Sequence, residues 1–287
     1  MRHLSQIRLS RLVIALCLAT LAGMAAAAAH AAEVTFDRTL AVSGKVDLSI
    51  NNGSGSIHIQ RGSANAVHIF ARVRPGWGQS DDRARQIAAN PPIQQTGNIV
   101  RIGFQHDAPR NISIDYEIQA PEGAILSVST GSGNIVDDNV GTSAKFSTGS
   151  GSIHATGIKG DFKIETGSGS IFAEQVGTGD VKAETGSGSI ELHHIRGALK
   201  AETGSGSIKV DGTPTSAWKL ETGSGSVEVW TNNASFNLDA ESGSGAVHSD
   251  REILSQDTEK RHHLVGKVGG GGPSLRIETG SGSIRVH

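Results

Sequence analysis

The 287-residue sequence predicts an all-β fold of the parallel β-solenoid kind, and three observations predict it. The heptapeptide Glu-Thr-Gly-Ser-Gly-Ser-Ile stands at 165–171, 184–190, 202–208 and 278–284, and with a final Val at 221–227. Looser copies lie at 51–57, 129–135, 147–153 and 241–247. The spacing is the second observation: the leading turn glycines Gly131, Gly149, Gly167, Gly186, Gly204, Gly223 and Gly243 are 18, 18, 19, 18, 19 and 20 residues apart, and Gly280 leads the last copy. So short a fixed period belongs to repeats that bury their apolar faces only against their neighbours. The third observation is a set of recurring columns. Leu126, Ala144, Phe162, Val181, Leu199, Trp218, Leu238 and Leu275 form one, and Ile135, Ile153, Ile171, Ile190, Ile208, Val227, Val247 and Ile284 another. Two short strands per 18–20-residue rung, with rungs about 4.8 Å apart, would superpose them. An antiparallel β meander with hairpin turns is the alternative.

Taken in order, residues 1–32 read as a signal peptide. Arg2, Arg8 and Arg11 precede the apolar run Leu12–Ala29, and the small-residue site Ala29-His30-Ala31 follows. A retained anchor is the rival, disfavoured by the Ala-rich second half and the cleavage site. Lipidation at Cys17 is unexpected because Leu16 fills the place of the small residue it requires. Removal of the leader takes the only Cys and three of the 26 basic residues, leaving 23 against 28 acidic ones. That mildly negative balance argues against a nucleic-acid binder, and no stable transmembrane span is expected to remain.

Residues 33–123 form a β-rich first part. Strands are expected at Val34–Phe36, Lys45–Ile50, Ser56–Ile59 and Ala66–Val73, with Gly53-Ser54-Gly55 an early turn. Pro75-Gly76-Trp77-Gly78 ends the last of these. Ser80 then reads as the N-cap of a short helix near 81–90, stopped by Pro91-Pro92. Strands resume at Ile99–Phe104 and Ile112–Ile118, before the turn Ala120-Pro121-Glu122-Gly123.

Residues 124–287 are the regular stack, with a loop insertion at 250–272. Phe162–Gly179 is the type unit. Phe162, Ile164 and Thr166 alternate with Lys163 and Glu165, so one side is apolar and the other charged. Gly167-Ser168-Gly169 turns the chain through the positive φ that glycine tolerates. Ile171 and Ala173 point inward on the second strand, and Val176 is expected to plug the next corner. Within the insertion, His263–Val268 reads as a strand and Gly269–Gly272 with Pro273 as a hinge.

Chemistry is scarce. The Gly-Ser-Gly turns match neither a dinucleotide fingerprint, nor a P-loop, nor a calcium-binding nonapeptide. The column Thr130, Thr148, Thr166, Thr185, Thr203, Thr222 and Thr279, joined by Ser242, could be a water-ordering face. Strand parity instead places these hydroxyls inside, bonded to one another and to the corner backbone. Lys145, Lys163, Lys182, Lys200 and Lys219 stand outward beside Glu165, Glu184, Glu202, Glu221 and Glu241. Such a ladder serves solubility, and alternatively a surface that docks an envelope polymer. His193-His194 and His262-His263 make no ready chelate, because strand neighbours diverge. No Gly-x-Ser-x-Gly elbow occurs. Paired carboxylates could cleave glycans, but the outward acids form a monotonous column. No catalytic, cofactor-binding or metal residue is assigned.

Ile112-Ser-Ile-Asp-Tyr-Glu-Ile118, Ala120-Pro-Glu-Gly123, the serial Thr-Gly-Ser-Gly-Ser-Ile and Val268-Gly-Gly-Gly-Gly-Pro-Ser-Leu275 together resemble the Toastrack family of bacterial candidate adhesins, over most of the chain beyond the leader. The resemblance implies a single-stranded right-handed β-helix of unknown molecular function. Relatives are often exported or membrane-associated, and some sit beside envelope-stress systems. No catalytic residues come with it. The expectation is an exported, non-enzymatic scaffold or adhesin-like surface in the periplasm or on the cell surface, with an envelope polysaccharide or protein as partner. A β-helical polysaccharide-active enzyme is the alternative, which an acidic or basic patch interrupting one face would favour.

Overall fold

The computed structural model describes residues 34–76, 81–103, 111–254 and 261–287. The leader, the Ser80 cap and Phe104 lie outside the described residues. The regular rungs are β8 (Ile125–Ser132) with β9 (Ile135–Asp138), β10 (Ser143–Ser150) with β11 (Ile153–Ile158), and β12 (Phe162–Ser168) with β13 (Ile171–Gln175). Next come β14 (Val181–Ser187) and two long strands, β15 (Ile190–Ser205) and β16 (Ile208–Ser224), then β17 (Val227–Trp230). Each of the long strands runs through a corner from one rung into the next.

All these rungs pair in parallel, and the strands that lead into the Gly-Ser-Gly turns stack in register. Ala144 lies beside Phe162, Phe162 beside Val181, Val181 beside Leu199, and Leu199 beside Trp218. The inward columns are dry: Phe146, Ile164, Ala183, Ala201 and Leu220 are fully buried. Trp218, the largest buried side chain, satisfies its indole by donating Nε1–H to Gly197 O at 2.9 Å. The fold is therefore a parallel β-solenoid, and antiparallel pairing is found at its two ends.

Chain order and stacking order part company at both ends. The rung β2 (Asp47–Ser54) and β3 (Ile57–Arg61) lies between β8–β9 on one side and β6 (Ile99–Gly103) with β7 (Ile112–Ala120) on the other. Beyond it, β4 (Ala66–Pro75) runs antiparallel to β7, and β1 (Val34–Ala41) antiparallel to β4, while β5 (Ile93–Thr96) pairs antiparallel with β6. Helix α1 (Asp81–Ala89) packs Ala84 and Ile87 against this cap, with Asp81 and Asp82 at its positive N-terminal end.

At the other end, the last repeat, β22 (Ser274–Ser281) with β23 (Ile284–Val286), is not the terminal rung. It sits between β16–β17 and the preceding repeat, β18 (Phe236–Ser242) with β19 (Val247–Ser249). The column thus runs Trp218, Leu275, Leu238, a correction to the sequential order the repeats suggest. The degenerate repeat, with Asp239 in the Lys column and Ser242 in the Thr column, is left outermost. There β21 (His263–Val268) covers it antiparallel, and β20 (Ile253–Leu254) pairs with β21. Atypical repeats at solenoid ends are what capping demands, since an outer rung has a partner on one side only.

A second correction concerns a corner. Val176 is 55% exposed, and it is Gln175 that fills the corner, at 1% exposure. Its Nε2 donates to Gly160 O and Gly179 O at 3.3 and 3.0 Å, and its Oε1 accepts the Arg196 N–H at 2.8 Å. An amide that ties three backbone groups outweighs the burial of one valine, because those groups would otherwise be unpaired in the core.

A candidate binding trough and its supporting ladder

Each rung is fastened to the one below by its inward hydroxyl. Thr148 donates to Gly133 O at 2.9 Å, Thr166 to Gly151 O at 2.8 Å and Thr185 to Gly169 O at 2.9 Å. Thr203, Thr222 and Thr279 donate likewise to Gly188 O, Gly206 O and Gly225 O, and Ser242 Oγ donates to Gly282 O at 2.8 Å. These hydroxyls are buried and committed, so the column is no water-ordering surface, nor are these bonds between hydroxyls.

The two glycines of each turn do different work. The positive φ expected of the turn falls on the second at Gly133, Gly151, Gly188, Gly206, Gly225 and Gly282, with φ +154° at Gly188, but not at Gly169 or Gly245. The leading glycines are required by proximity instead. A Cβ on Gly131, Gly149, Gly167, Gly186, Gly204, Gly223, Gly243 or Gly280 would lie 2.5–2.6 Å from the carbonyl oxygen of the equivalent glycine one rung down. At Gly188 both demands coincide, since a Cβ there would stand 2.1 Å from Gly169 O. Gly188→Val is therefore expected to cost at least about 3 kcal/mol, and Lys182→Gln less than about 0.5 kcal/mol. Equal melting temperatures for the two variants would refute this assignment.

Outward from the same residues runs a trough of about 1010 Å³. Its floor is the bare backbone of the leading glycines, and one wall is the Glu column. Seven rungs contribute in stacking order, from Ser147 through Glu165, Glu184, Glu202, Glu221 and Glu278 to Glu241. At rung spacing the trough is roughly 29 Å long. The carboxylates are held by the adjoining cations: Lys163–Glu165 at 2.6 Å, Lys182–Glu184 at 2.8 Å, Lys200–Glu202 at 2.7 Å and Lys219–Glu221 at 2.6 Å. Lys200 also reaches Glu184 at 3.4 Å, one rung away. Partial desolvation alone would raise the Glu184 carboxyl. Hydrogen bonds from Lys182 and Lys200, with the charge of Lys182, outweigh it and bring the group down to about 2. Glu184 therefore stays ionised, although each exposed pair along the wall contributes only about 0–1 kcal/mol. The ends differ: Ser147 stands in the Glu column beside Lys145, while Asp239 stands in the Lys column beside Glu241.

On the second strands the register shifts between Ala155 and Ile158 and again, at a bulge, between Leu192 and Ile195. His194 there adopts φ +59°, and its backbone N–H donates to Asp211 Oδ1 at 3.0 Å. His193 bonds Asp211 through Nδ1 and Glu191 through Nε2, the latter at 3.1 Å. Phe172 bridges His193 and His154, stacking on His154 at 4.4 Å. His262 and His263 are apart from this group; His263 pairs with Asp239 at 3.1 Å. No cluster of three or more His, Cys, Asp or Glu able to hold a metal ion occurs among the described residues.

One buried acid stands outside all these networks. Asp137 points inward in register with Ile59 and Ala155, is fully buried, and neither carboxylate oxygen has a hydrogen-bond partner among the described residues. Sequence reasoning passed over it, although the parity of Ile135 places residue 137 on the inner side.

Fold and surface together define a repetitive β-solenoid protein with a long polar trough on one face. The chain belongs to the Toastrack DUF4097 family, whose model matches residues 105–287. Among solved structures it is similar to a candidate adhesin from Bacteroides fragilis, with 14% identity, 88% of this chain and 97% of that one covered, and a TM-score of 0.40. A candidate cell adhesion protein from Clostridium sporogenes shares 14% identity over 88% and 98%, with a TM-score of 0.28. A candidate adhesin from Parabacteroides distasonis shares 10% over 88% and 96%, with a TM-score of 0.37. At TM-scores this low the likenesses carry no argument about activity. No curated protein matches the chain. Among the described residues no helix is long and apolar enough to cross a membrane.

Proposed function

We propose that the protein is exported to the periplasm or cell surface and acts there, without catalysis, as a scaffold whose trough docks an extended envelope polymer. The supporting observation is the trough itself, continuous over seven rungs and walled by ordered carboxylates. A polymer lying along it would meet the same Glu–Lys–Gly environment at every rung, which suits a repetitive polysaccharide or an extended protein segment. The Arg-led apolar leader supports export.

The test is a pull-down of isolated envelope fractions with the exported chain, beside the triple variant Glu184→Gln, Glu202→Gln and Glu221→Gln. Loss of charge-assisted hydrogen bonds should weaken retention by about tenfold or more with the melting temperature nearly kept. Unchanged retention would remove the trough from the proposal. N-terminal sequencing should find a start at Ala32 or Glu33; a chain that keeps Arg2 and sediments with inner membrane would overturn the export reading. The enzymatic alternative draws on His193, held between Asp211 and Glu191. Release of reducing ends from envelope glycan, abolished by His193→Ala, would replace the scaffold with a hydrolase.

A further inference from the structure

We propose that the C-terminal repeat, Ser274–Val286, is an exchangeable rung, and that the partner fitting the slot it fills is a second copy of this chain. Both neighbours of this rung precede it in sequence. β16–β17 lies on one side and β18–β19 on the other, so the slot is defined before its occupant is made. The N-terminal intercalated rung differs in this respect: β2–β3 comes first, and later chain closes over it from both sides.

The slot demands an occupant. Without one it would bare Trp218, Leu220, Val227 and Val229 on one side and Leu238 and Ala240 on the other, all of them buried. The occupant brings Leu275, Ile277, Ile284 and Val286 into the core. It also closes two hydroxyl clips, Thr279 to Gly225 O and Ser242 to Gly282 O, each at 2.8 Å.

Nothing in those contacts distinguishes a repeat of the same chain from that of another. Only the tether does. Residues 269–273 straddle β18 to join β21 to β22, because those two strands flank β18 on opposite sides. Gly269 and Gly271 take φ +59° and +73°, and the loop is fastened to β18 by the Asn237 N–H donating to Pro273 O at 2.9 Å. A chain that opens this loop instead of folding it back delivers the same rung to a neighbour, with every ladder contact kept. Exchange of an identical element is a low-cost route to a dimer. A short tether holds the intramolecular rung at an effective concentration of about millimolar, so exchange competes as the protein approaches that concentration. Release of a rung bonded on both sides is slow, so the partition is set during folding.

The experiment uses the full chain with Cys17→Ser, Ser224→Cys and Ser281→Cys. Ser224 and Ser281 are exposed, in-register neighbours across the slot, at a separation a disulfide spans. Equal amounts of ¹⁴N- and ¹⁵N-labelled chain are unfolded together, then refolded and oxidised at about 5 μM and at about 1 mM. Mass spectrometry of the 224–281 linked peptides should find same-isotope pairs at the lower concentration. At the higher one, mixed-isotope pairs should appear in a soluble dimer. Same-isotope pairs alone at both concentrations, a dimer without the 224–281 link, or precipitate without a soluble dimer would each overturn the proposal. The unsubstituted chain gives a second reading. Refolded at about 1 mM and diluted to about 5 μM, it should hold a dimer for hours; return to monomer within minutes would overturn exchange.

Discussion

Deleting Gly186–His194 is expected to abolish cooperative folding, whereas deleting Gly186–Thr203 should leave a shorter but folded solenoid. Thr185 and Thr203 are register partners, so the longer deletion joins Thr185 to Gly204 in frame and brings the later rungs down by one. Val181 then meets Trp218, and Ile171 meets Ile208, each a pairing of the kind already present. The indole of Trp218 loses Gly197 O and takes Gly179 O, the equivalent carbonyl beneath it. What disappears outright is local, chiefly the His193 and His194 bonds to Asp211 and the Arg196 N–H on Gln175. A cost of about 1–3 kcal/mol follows. The shorter deletion removes nine residues, which keeps the inward parity but carries every later strand to the opposite side of its rung. Leu199–Thr203 would lie where Ile190–His194 lay, and the tight Gly-Ser-Gly corner would fall where Gln175-type corners turn. The hydroxyl clips would then have no carbonyl beneath them. Circular dichroism and thermal melts decide it. If the nine-residue deletion melts as sharply as the eighteen-residue one, the rung assignment is wrong.

Asp137→Asn should flatten the dependence of stability on pH between about 4 and 8. Burial, and secondarily the charge of neighbouring Asp138, push the Asp137 carboxyl up to about 8. Asp138 itself is engaged by His58 at 2.7 Å, and the side chains in register with Asp137, Ile59 and Ala155, carry no charge. The folded state therefore keeps a proton that the unfolded chain releases near pH 4. Between those values the unfolded state binds fewer protons, so stability falls as pH rises, by about 1.4 kcal/mol per unit at most. Below pH 4 the penalty is absent, and above about 8 it is complete. The native protein should thus be markedly more stable at pH 5 than at pH 8, and the Asn variant should overtake it at the alkaline end. Parallel melting profiles for the two proteins would sink the account.

Much of this was legible because a solenoid writes its tertiary contacts in local code. A rung touches only its neighbours, and strand parity alone sorts Phe162, Ile164 and Thr166 inward from Lys163 and Glu165. By itself the sequence determined the period, the columns, the burial of the Thr hydroxyls, the short helix after Pro75 and the strand at His263–Val268. Three things were decided by the tertiary structure. The order of rungs was one: Glu221–Val227 and Glu278–Ile284 are nearly the same peptide, so no local preference says which lies against Glu241. The division of labour within each glycine pair was another, since the leading glycine is demanded by a carbonyl one rung away and not by its own φ. The third was the filling of irregular places. Gln175 displaces Val176 from its corner, and Asp137 occupies a core position that its polarity argues against. For the rung order, the leading glycines and Gln175 the deciding contacts reach residues in other rungs, and repetition gives such contacts several chemically equivalent partners that only packing in three dimensions can tell apart.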